Sequence, residues 1–264
     1  MLVKIVAVQT QPGRQLTLEE KLHIFRHRPD FVCLPEFFGM AESTTDFRRA
    51  ALAMNEQLEQ LAQLSDELDT TLIGGSLIEA GETGLYNMSP IFHKGRLIHQ
   101  YRKVNPVPGE LARGLIPGQE LSVVEIGGLR VGQLLCGDVF YEQNFHKLAE
   151  LEPDLIFIPT SSPFRPADSL TQKKERDRKF FQAGSTLTGA YVIKVCGVGT
   201  LMGKPLQGRS LICAPWELLL KVNAVSEGVS RILSITLDID ELREFRQRMK
   251  KVIPSQSSAI TSIN

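Results

Sequence analysis

Val123-Val124-Glu125-Ile126-Gly127-Gly128-Leu129-Arg130-Val131-Gly132-Gln133-Leu134-Leu135-Cys136-Gly137-Asp138 is the stretch that decides the fold class of this chain. Two apolar runs meet at a Gly-Gly pair, the residues that supply the positive φ of a tight hairpin turn. The second run, Val131–Cys136, is too uniformly apolar for a strand with one wet face. It reads as a strand buried on both sides and ends abruptly on a thiol, a glycine and a carboxylate. The chain therefore uses strands both as hairpin arms and as buried central members. Lys94-Gly95 before Arg96–Tyr101 reads as a second hairpin turn.

Outward from this segment, short apolar runs alternate with longer amphipathic ones. Val3–Gln9, Asp30–Pro35, Thr71–Ile78, Leu85–His93, Leu155–Pro159, Tyr191–Gly197 and Ser210–Cys213 read as further strands, rich in Val, Ile and Leu. Helical spacing predicts helices over Leu16–Arg26, Ser43–Leu68, Phe140–Leu151, Asp168–Leu187 and Asp240–Lys251. In the second, Leu52, Leu58, Leu61, Leu64 and Leu68 form one apolar stripe. Hairpins interleaved with helix-linked strands predict an α/β protein with a mixed sheet. No 20–50-residue repeat and no Pro/Gly/Ser-rich linker divides the 264 residues, so a single domain spanning 1–264 is expected. The segment 254–264 is small and polar, a tail expected to be disordered or to cross to a partner subunit.

Composition excludes several function classes. Apolar residues make up 42% and charged residues 23%, which rules out a disordered or fibrous chain. Thirty basic side chains balance thirty acidic ones, so the electrostatic footprint of a nucleic-acid binder or an anionic-membrane binder is missing. Neutrality also leaves little repulsion against self-association, and a homo-oligomer is expected. No run approaches the ~18 apolar residues of a membrane span. MLVKIVAVQTQPG lacks the charged start and small-residue cleavage site of a secretory leader and reads as a first strand. Cys33, Cys136, Cys196 and Cys213 are widely spread with no CxxC pair, so free thiols in a reducing cytoplasm are expected, with no metal or cofactor.

Three apolar strands end on ionisable groups: Leu34-Pro35-Glu36, Tyr101-Arg102-Lys103 and Leu135-Cys136-Gly137-Asp138. Strand ends opening onto loops are where α/β folds build active sites. Singly, each has an ordinary explanation: a surface carboxylate, a solvated ammonium, an inert buried thiol. Together they cover a base, an electrostatic stabiliser and a nucleophile. A thiol of pKa ~8.5 is scarcely ionised at neutral pH, so attack needs a partner to take its proton. A carboxylate in a dry pocket has the raised proton affinity for that task, and an ammonium stabilises the oxyanion that forms.

In these motifs the chain resembles the nitrilase superfamily of carbon–nitrogen hydrolases, in order, from Val3 to about Asp238. The start IVAVQ, the segment Tyr191–Gly199 and the strand start Gly208-Arg209-Ser210 add to the likeness. The resemblance implies a four-layer α-β-β-α sandwich with two mixed sheets, pairing through its helices into a homodimer. It assigns Glu36 as general base, Lys103 as stabiliser of the tetrahedral intermediate and Cys136 as nucleophile. Glu110, in Pro108-Gly109-Glu110, orients the site, and the Gly137 N–H is a second oxyanion donor. The reaction implied is hydrolysis of a small-molecule amide through a thioester. Nitrile hydrolysis, carbamoyl-amine hydrolysis and acyl transfer to an amine use the same groups, and a non-catalytic binding subunit is the alternative outside enzymes.

The chain departs from the family pattern in places. Phe140-Tyr141-Glu142-Gln143 lacks the usual proline and puts Gln143 at the glutamate position. Gly184, Leu187 and Thr188 stand where an arginine and a Glu-Asn pair are usual, Cys196 where asparagine is common, and Glu217 where a glycine often follows Pro215. These mark a divergent branch. Phe140 and Tyr141 are expected as an aromatic substrate wall, and Ser161 and Ser162 as hydroxyls offered to substrate. His93, His99 and His146 show no metal-ligand spacing, and the mixed-sign run Lys173–Lys179 reads as a solvated helix face.

Overall fold

A strand covered on both faces needs apolar side chains at nearly every position, and Leu2–Gln9 meets that need: Ile5, Val6, Ala7 and Val8 are all fully buried. In the computed structural model, which describes residues 1–252, this strand is central to the first of two mixed sheets. Phe31–Cys33 runs parallel to it and Thr71–Ile73 parallel to Phe31–Cys33. Leu85–His93 then pairs antiparallel with Thr71–Ile73, Leu77–Ala80 and Arg96–Arg102. At the opposite edge Arg231–Asp238 pairs antiparallel with Leu2–Gln9 over its whole length. The second sheet orders Leu218–Lys221, Leu211–Cys213, Tyr191–Cys196, Leu155–Thr160, Leu129–Gln133 and Val123–Ile126, the middle three strands after Leu211–Cys213 being parallel. The Gly127-Gly128 and Lys94-Gly95 hairpins form as the sequence predicts.

The layers follow from which face each strand turns inward. Ile5, Phe31, Cys33, Ile73 and Ile91 of the first sheet pack against Val131, Leu155, Phe157, Ile193 and Ile212 of the second. The outer face of the first sheet buries Val6, Val32 and Leu72 under Ile24, Leu61, Leu64 and Leu68 of the helices Leu18–Arg26 and Met54–Glu67. The outer face of the second buries Ile156, Ile158 and Val192 under Phe145, Leu148 and Phe181. The result is helix, sheet, sheet, helix. Among the described residues no helix is long and apolar enough to cross a membrane.

Several expected elements are cut shorter, each for a local reason. Thr71–Ile78 is two strands, because the chain turns at Gly74-Gly75-Ser76. Gly75 has φ of +67°, and a Cβ there would lie 2.0 Å from the Pro35 carbonyl oxygen, so only glycine lets the two segments pass. Ser43–Leu68 is two helices, Phe47–Ala51 capped by Asp46, and Met54–Glu67. The break takes Leu52 out of phase with the stripe and leaves it 87% exposed, while Leu61, Leu64 and Leu68 stay buried. Asp168–Leu187 contains a wider π turn at Arg178–Gln182 between Leu170–Asp177 and Ala183–Thr188. The Lys173–Lys179 run is not uniformly solvated: Asp177 turns in to pair with the buried Lys194 and Arg209, and Lys173 pairs with Glu227. Lys194 sits on a covered strand and needs a counter-charge there.

The helix Ile239–Val252 is fastened by one carboxylate. Asp154 is 1% exposed and accepts from Arg243 at 2.8 Å, from Arg246 at 3.1 Å and from the Arg130 N–H at 3.1 Å. Burial works to raise its pKa, but these donors and positive charges outweigh it and hold the carboxyl below the usual range. The tail 254–264 lies outside the described residues.

Candidate active site

Glu36 and Cys136 both leave the ends of parallel strands, one in each sheet, so facing the sheets against each other brings the two loops together. Cys136 begins a tight 3₁₀ turn, Cys136–Phe140, directly after Leu129–Gln133 and two linking residues. Its φ is +39°, a conformation L-residues rarely adopt. The bend is clasped by Asp138, which accepts from the Leu135 N–H at 2.8 Å, the Asn105 N–H at 2.8 Å and the Tyr101 hydroxyl at 2.7 Å. Gly137 fits tightly: a Cβ on it would stand 2.4 Å from Val107 Cγ1 and 3.8 Å from Lys103 Cε. The cysteine turn thus lies against the lysine stem.

Lys103 follows the edge strand Arg96–Arg102, most of whose side chains face outward. Tyr101 and Lys103, two residues apart, share the inward face. One clasps the cysteine turn through Asp138. The other, 1% exposed, donates to Glu36 Oε1 at 2.9 Å and Glu110 Oε1 at 2.8 Å. Glu110 is buried rather than a loop carboxylate in water. It sits on the one-turn helix Pro108–Leu111, and its Oε2 accepts from the Val107 N–H at 2.8 Å, fixing its direction.

Ser161, just past Leu155–Thr160, joins the glutamate to the cysteine. Its N–H donates to Glu36 Oε2 at 2.9 Å, and its carbonyl oxygen lies 3.8 Å from Cys136 Sγ. Its hydroxyl donates to the Glu36 carbonyl at 3.1 Å, which braces the glutamate loop. The Ser162 carbonyl accepts from the Gln207 N–H at 2.8 Å, which anchors that loop to the neighbouring strand connection. Phe37, next to Glu36, also has a positive φ of 58°, and its N–H is held by the Ser76 hydroxyl at 3.0 Å.

The electrostatics follow from burial. Burial raises the Glu36 pKa, Lys103 opposes that rise and Glu110 adds to it; the net direction is up. Burial also works against the Lys103 charge, but Glu36, Cys136, Glu110 and Asp138 outweigh it and keep the ammonium protonated. The Cys136 thiol is pushed well up, first by burial and then by Glu36, with Lys103 opposing. A neutral thiol beside a buried carboxylate of raised basicity, with a fixed cation, is an arrangement for passing the thiol proton during attack rather than for storing a thiolate. Among the described residues no cluster of three or more His, Cys, Asp or Glu is placed to hold a metal ion.

The chain matches the family model described as carbon-nitrogen hydrolase over residues 3–247. It belongs to the carbon–nitrogen hydrolase family. It is similar to an omega-amidase NIT2 of Xenopus tropicalis, 27% identical over 233 residues that cover 83% of this chain and 80% of the relative. Its fold is similar to that of a carbon-nitrogen hydrolase from Helicobacter pylori G27, with a TM-score of 0.80 at 17% identity, covering 97% of this chain and 95% of that one. Saccharomyces cerevisiae Nit3, a member of branch 10 of the nitrilase superfamily, superposes with a TM-score of 0.75 at 19% identity, covering 99% of this chain and 97% of its own. The two-sheet α/β fold is therefore that of the nitrilase superfamily.

Within this carbon–nitrogen hydrolase, the structure gathers Glu36, Lys103, Glu110, Cys136 and Gly137 into one place. Phe140 and Tyr141 sit on the turn after the cysteine, 51% and 47% exposed, with Phe140 edge-on to Phe180 at 5.0 Å between ring centres. Three contributors escape the sequence reading as site residues: Asn87, the Ser161 backbone and Asp138 as a clasp. Asn87 left a signal, an amide in the largely apolar Leu85–His93 strand, where a buried polar group needs a partner.

Proposed function

We propose that this chain hydrolyses the carbon–nitrogen bond of a small-molecule amide, with Cys136 as nucleophile, Glu36 as general base and acid, and Lys103 as oxyanion stabiliser. The observation that carries the reading is the double anchoring at Ser161, which puts Glu36 Oε2 and Cys136 Sγ on either side of one residue. As the sulfur forms its bond to the carbonyl carbon, the thiol proton passes to Glu36. The carbonyl electrons move to oxygen, where Lys103 and the Gly137 N–H hold the negative charge. Two of the three ammonium hydrogens of Lys103 are engaged by Glu36 and Glu110, leaving the third for the oxyanion. Glu36 returns the proton to nitrogen, the C–N bond breaks, and ammonia or an amine leaves. Water then attacks the thioester while Glu36 takes its proton. The C–S bond breaks, the sulfur recovers a proton, and the acid departs.

Glu110 fixes Lys103 rather than reacting: its Oε2 is turned to the Val107 N–H, whereas Glu36 Oε2 is turned to Ser161, the residue that also meets Cys136. Phe140 and Tyr141 bound the substrate on the turn side of the sulfur. The amide reading is supported by the family and by the amidase relative named above. Nitrile, carbamoyl-amine and acyl-transfer substrates are separated from it by assaying ammonia and product acid across a panel. Purified protein is expected to release ammonia and a carboxylic acid in equal amounts from a primary amide, and Cys136→Ala to release neither. An undiminished Cys136→Ala enzyme sinks the reading. The chain acts as a single domain in a homodimer, in a reducing compartment where Cys136 stays a thiol; a strict monomer on gel filtration at micromolar concentration contradicts the dimer.

A further inference from the structure

Asn87 lies in the Leu85–His93 strand, fully buried, directly across from Lys103, whose N–H donates to the Asn87 carbonyl at 2.9 Å. Its side-chain amide donates to Glu36 Oε1 at 2.9 Å and to Glu110 Oε1 at 3.2 Å. These are the same two oxygens that Lys103 holds. Both carboxylates are thus bridged twice, once by an ammonium and once by an amide. The Asn87 Oδ1 is buried with no hydrogen-bond partner among the described residues, so the amide is placed for its two N–H groups at a cost to its oxygen. Turning the amide over would aim that oxygen at two acceptors, so the neighbours dictate its orientation.

The chemistry explains why an amide stands there. Two carboxylates sharing one ammonium in a dry site carry a net negative charge, and like charges that close push a proton onto one of them. A second cation would relieve this but would also lower the basicity the attack requires. A neutral double donor steadies both anions and lowers that basicity less than a full positive charge would. We propose that Asn87 is a positioning residue: it holds Glu36, as the carboxylate, beside Glu110 around Lys103 and leaves Glu36 Oε2 on the Ser161 side, where Cys136 lies. This rests on the hydrolase reading above, in which Glu36 must be ionised to act.

The test compares Asn87→Leu, of similar size with no donor, and Asn87→Ser, which keeps one donor, with the unaltered protein. Turnover of propionamide is followed by ammonia release across pH. In parallel, the Glu36 carboxyl stretch is read in infrared difference spectra and assigned by its loss in Glu36→Gln. In Asn87→Leu the acidic limb of kcat/KM and the infrared midpoint are expected to rise together by about one pH unit, a roughly tenfold loss below the limb. KM is expected to stay nearly constant, and Asn87→Ser to fall between. If Asn87→Leu does not fold, Asn87→Ser is read against the unaltered protein alone. A loss of activity with both midpoints unmoved, or no change at all, overturns the proposal. Failure of the hydrolase reading looks different: the unaltered protein releases no ammonia from any amide, while the infrared midpoints still report on Asn87.

Discussion

Asp154 and Glu36 are both carboxylates 1% exposed and both hydrogen-bonded to cations, yet their environments push them in opposite directions. Asp154 stands alone among two guanidinium groups and a backbone N–H, so positive charge and donors exceed what one anion needs. Glu36 shares a single ammonium with Glu110, so negative charge is in excess and burial prevails. The first arrangement is a clamp that ties the Ile239–Val252 helix to the second sheet. The second leaves one carboxylate short of compensation beside a sulfur. A buried carboxylate fastens when the cations and donors around it meet or exceed its charge, and is primed to take a proton when they fall short.

The comparison breaks most easily at the reactive end. Cys136→Ala and Glu36→Gln are each expected to lower kcat for amide hydrolysis by about a thousandfold or more, with the double variant little worse, because the two act as one unit. Ammonia release measures this, and additive losses would mean that they act separately. At the clamp, Asp154→Ala leaves two guanidinium groups without their anion and is expected to cost ~3 kcal/mol. That is the low end of the 3–5 kcal/mol for breaking a buried pair, since Arg243 is largely open to water. Urea unfolding reads that loss, while kcat per folded molecule stays unchanged.

The two carboxylates also set opposite pH limits. The depressed Asp154 pKa gives stability that is complete above the unfolded Asp value of ~3.9 and is lost as pH falls through the lower folded value. The raised Glu36 pKa works the other way: its contribution to stability is present below the unfolded Glu value of ~4.3 and is lost as pH rises through the folded value. In the proposed mechanism ionised Glu36 is the active form, so activity is expected to rise with pH on a limb above the ordinary Glu value. An interval is therefore expected in which the protein remains folded but is inactive, and returning the pH restores turnover. Coincident loss of circular dichroism and activity would remove the distinction. The smallest effect belongs to the surface: Lys21→Ala, which breaks an ion pair with Glu67 open to solvent on both sides, is expected to shift stability by no more than about 0.5 kcal/mol in thermal melts.

Much of the architecture is legible in one dimension because it depends on side chains acting locally. The Gly127-Gly128 and Lys94-Gly95 turns are readable because positive φ favours glycine, as at Gly95, Gly127 and Gly128. The first helix starts at Leu18 rather than at the expected Leu16 because Thr17 and Glu20 cap it reciprocally. Arg231–Asp238, absent from the strands expected from sequence, alternates Leu233, Ile235 and Leu237 with Ser234, Thr236 and Asp238, the pattern of an edge strand. Leu52 falls outside the apolar stripe because a break between two helices depends on which turn finds a sheet to cover, and spacing alone does not carry that information.

At the site, three strand ends pointed to Glu36, Lys103 and Cys136 because a base, a cation and a thiol at strand ends that open onto loops are a set with a shared chemistry. What those groups do to one another belongs to the tertiary structure alone. Asn87 beneath the carboxylates, the Ser161 backbone between glutamate and sulfur, and the inward turn of Glu110 come from segments far apart in the chain. Burial and the count of neighbouring charges set proton affinity, and both exist only once two sheets have closed over the same few ångströms of space.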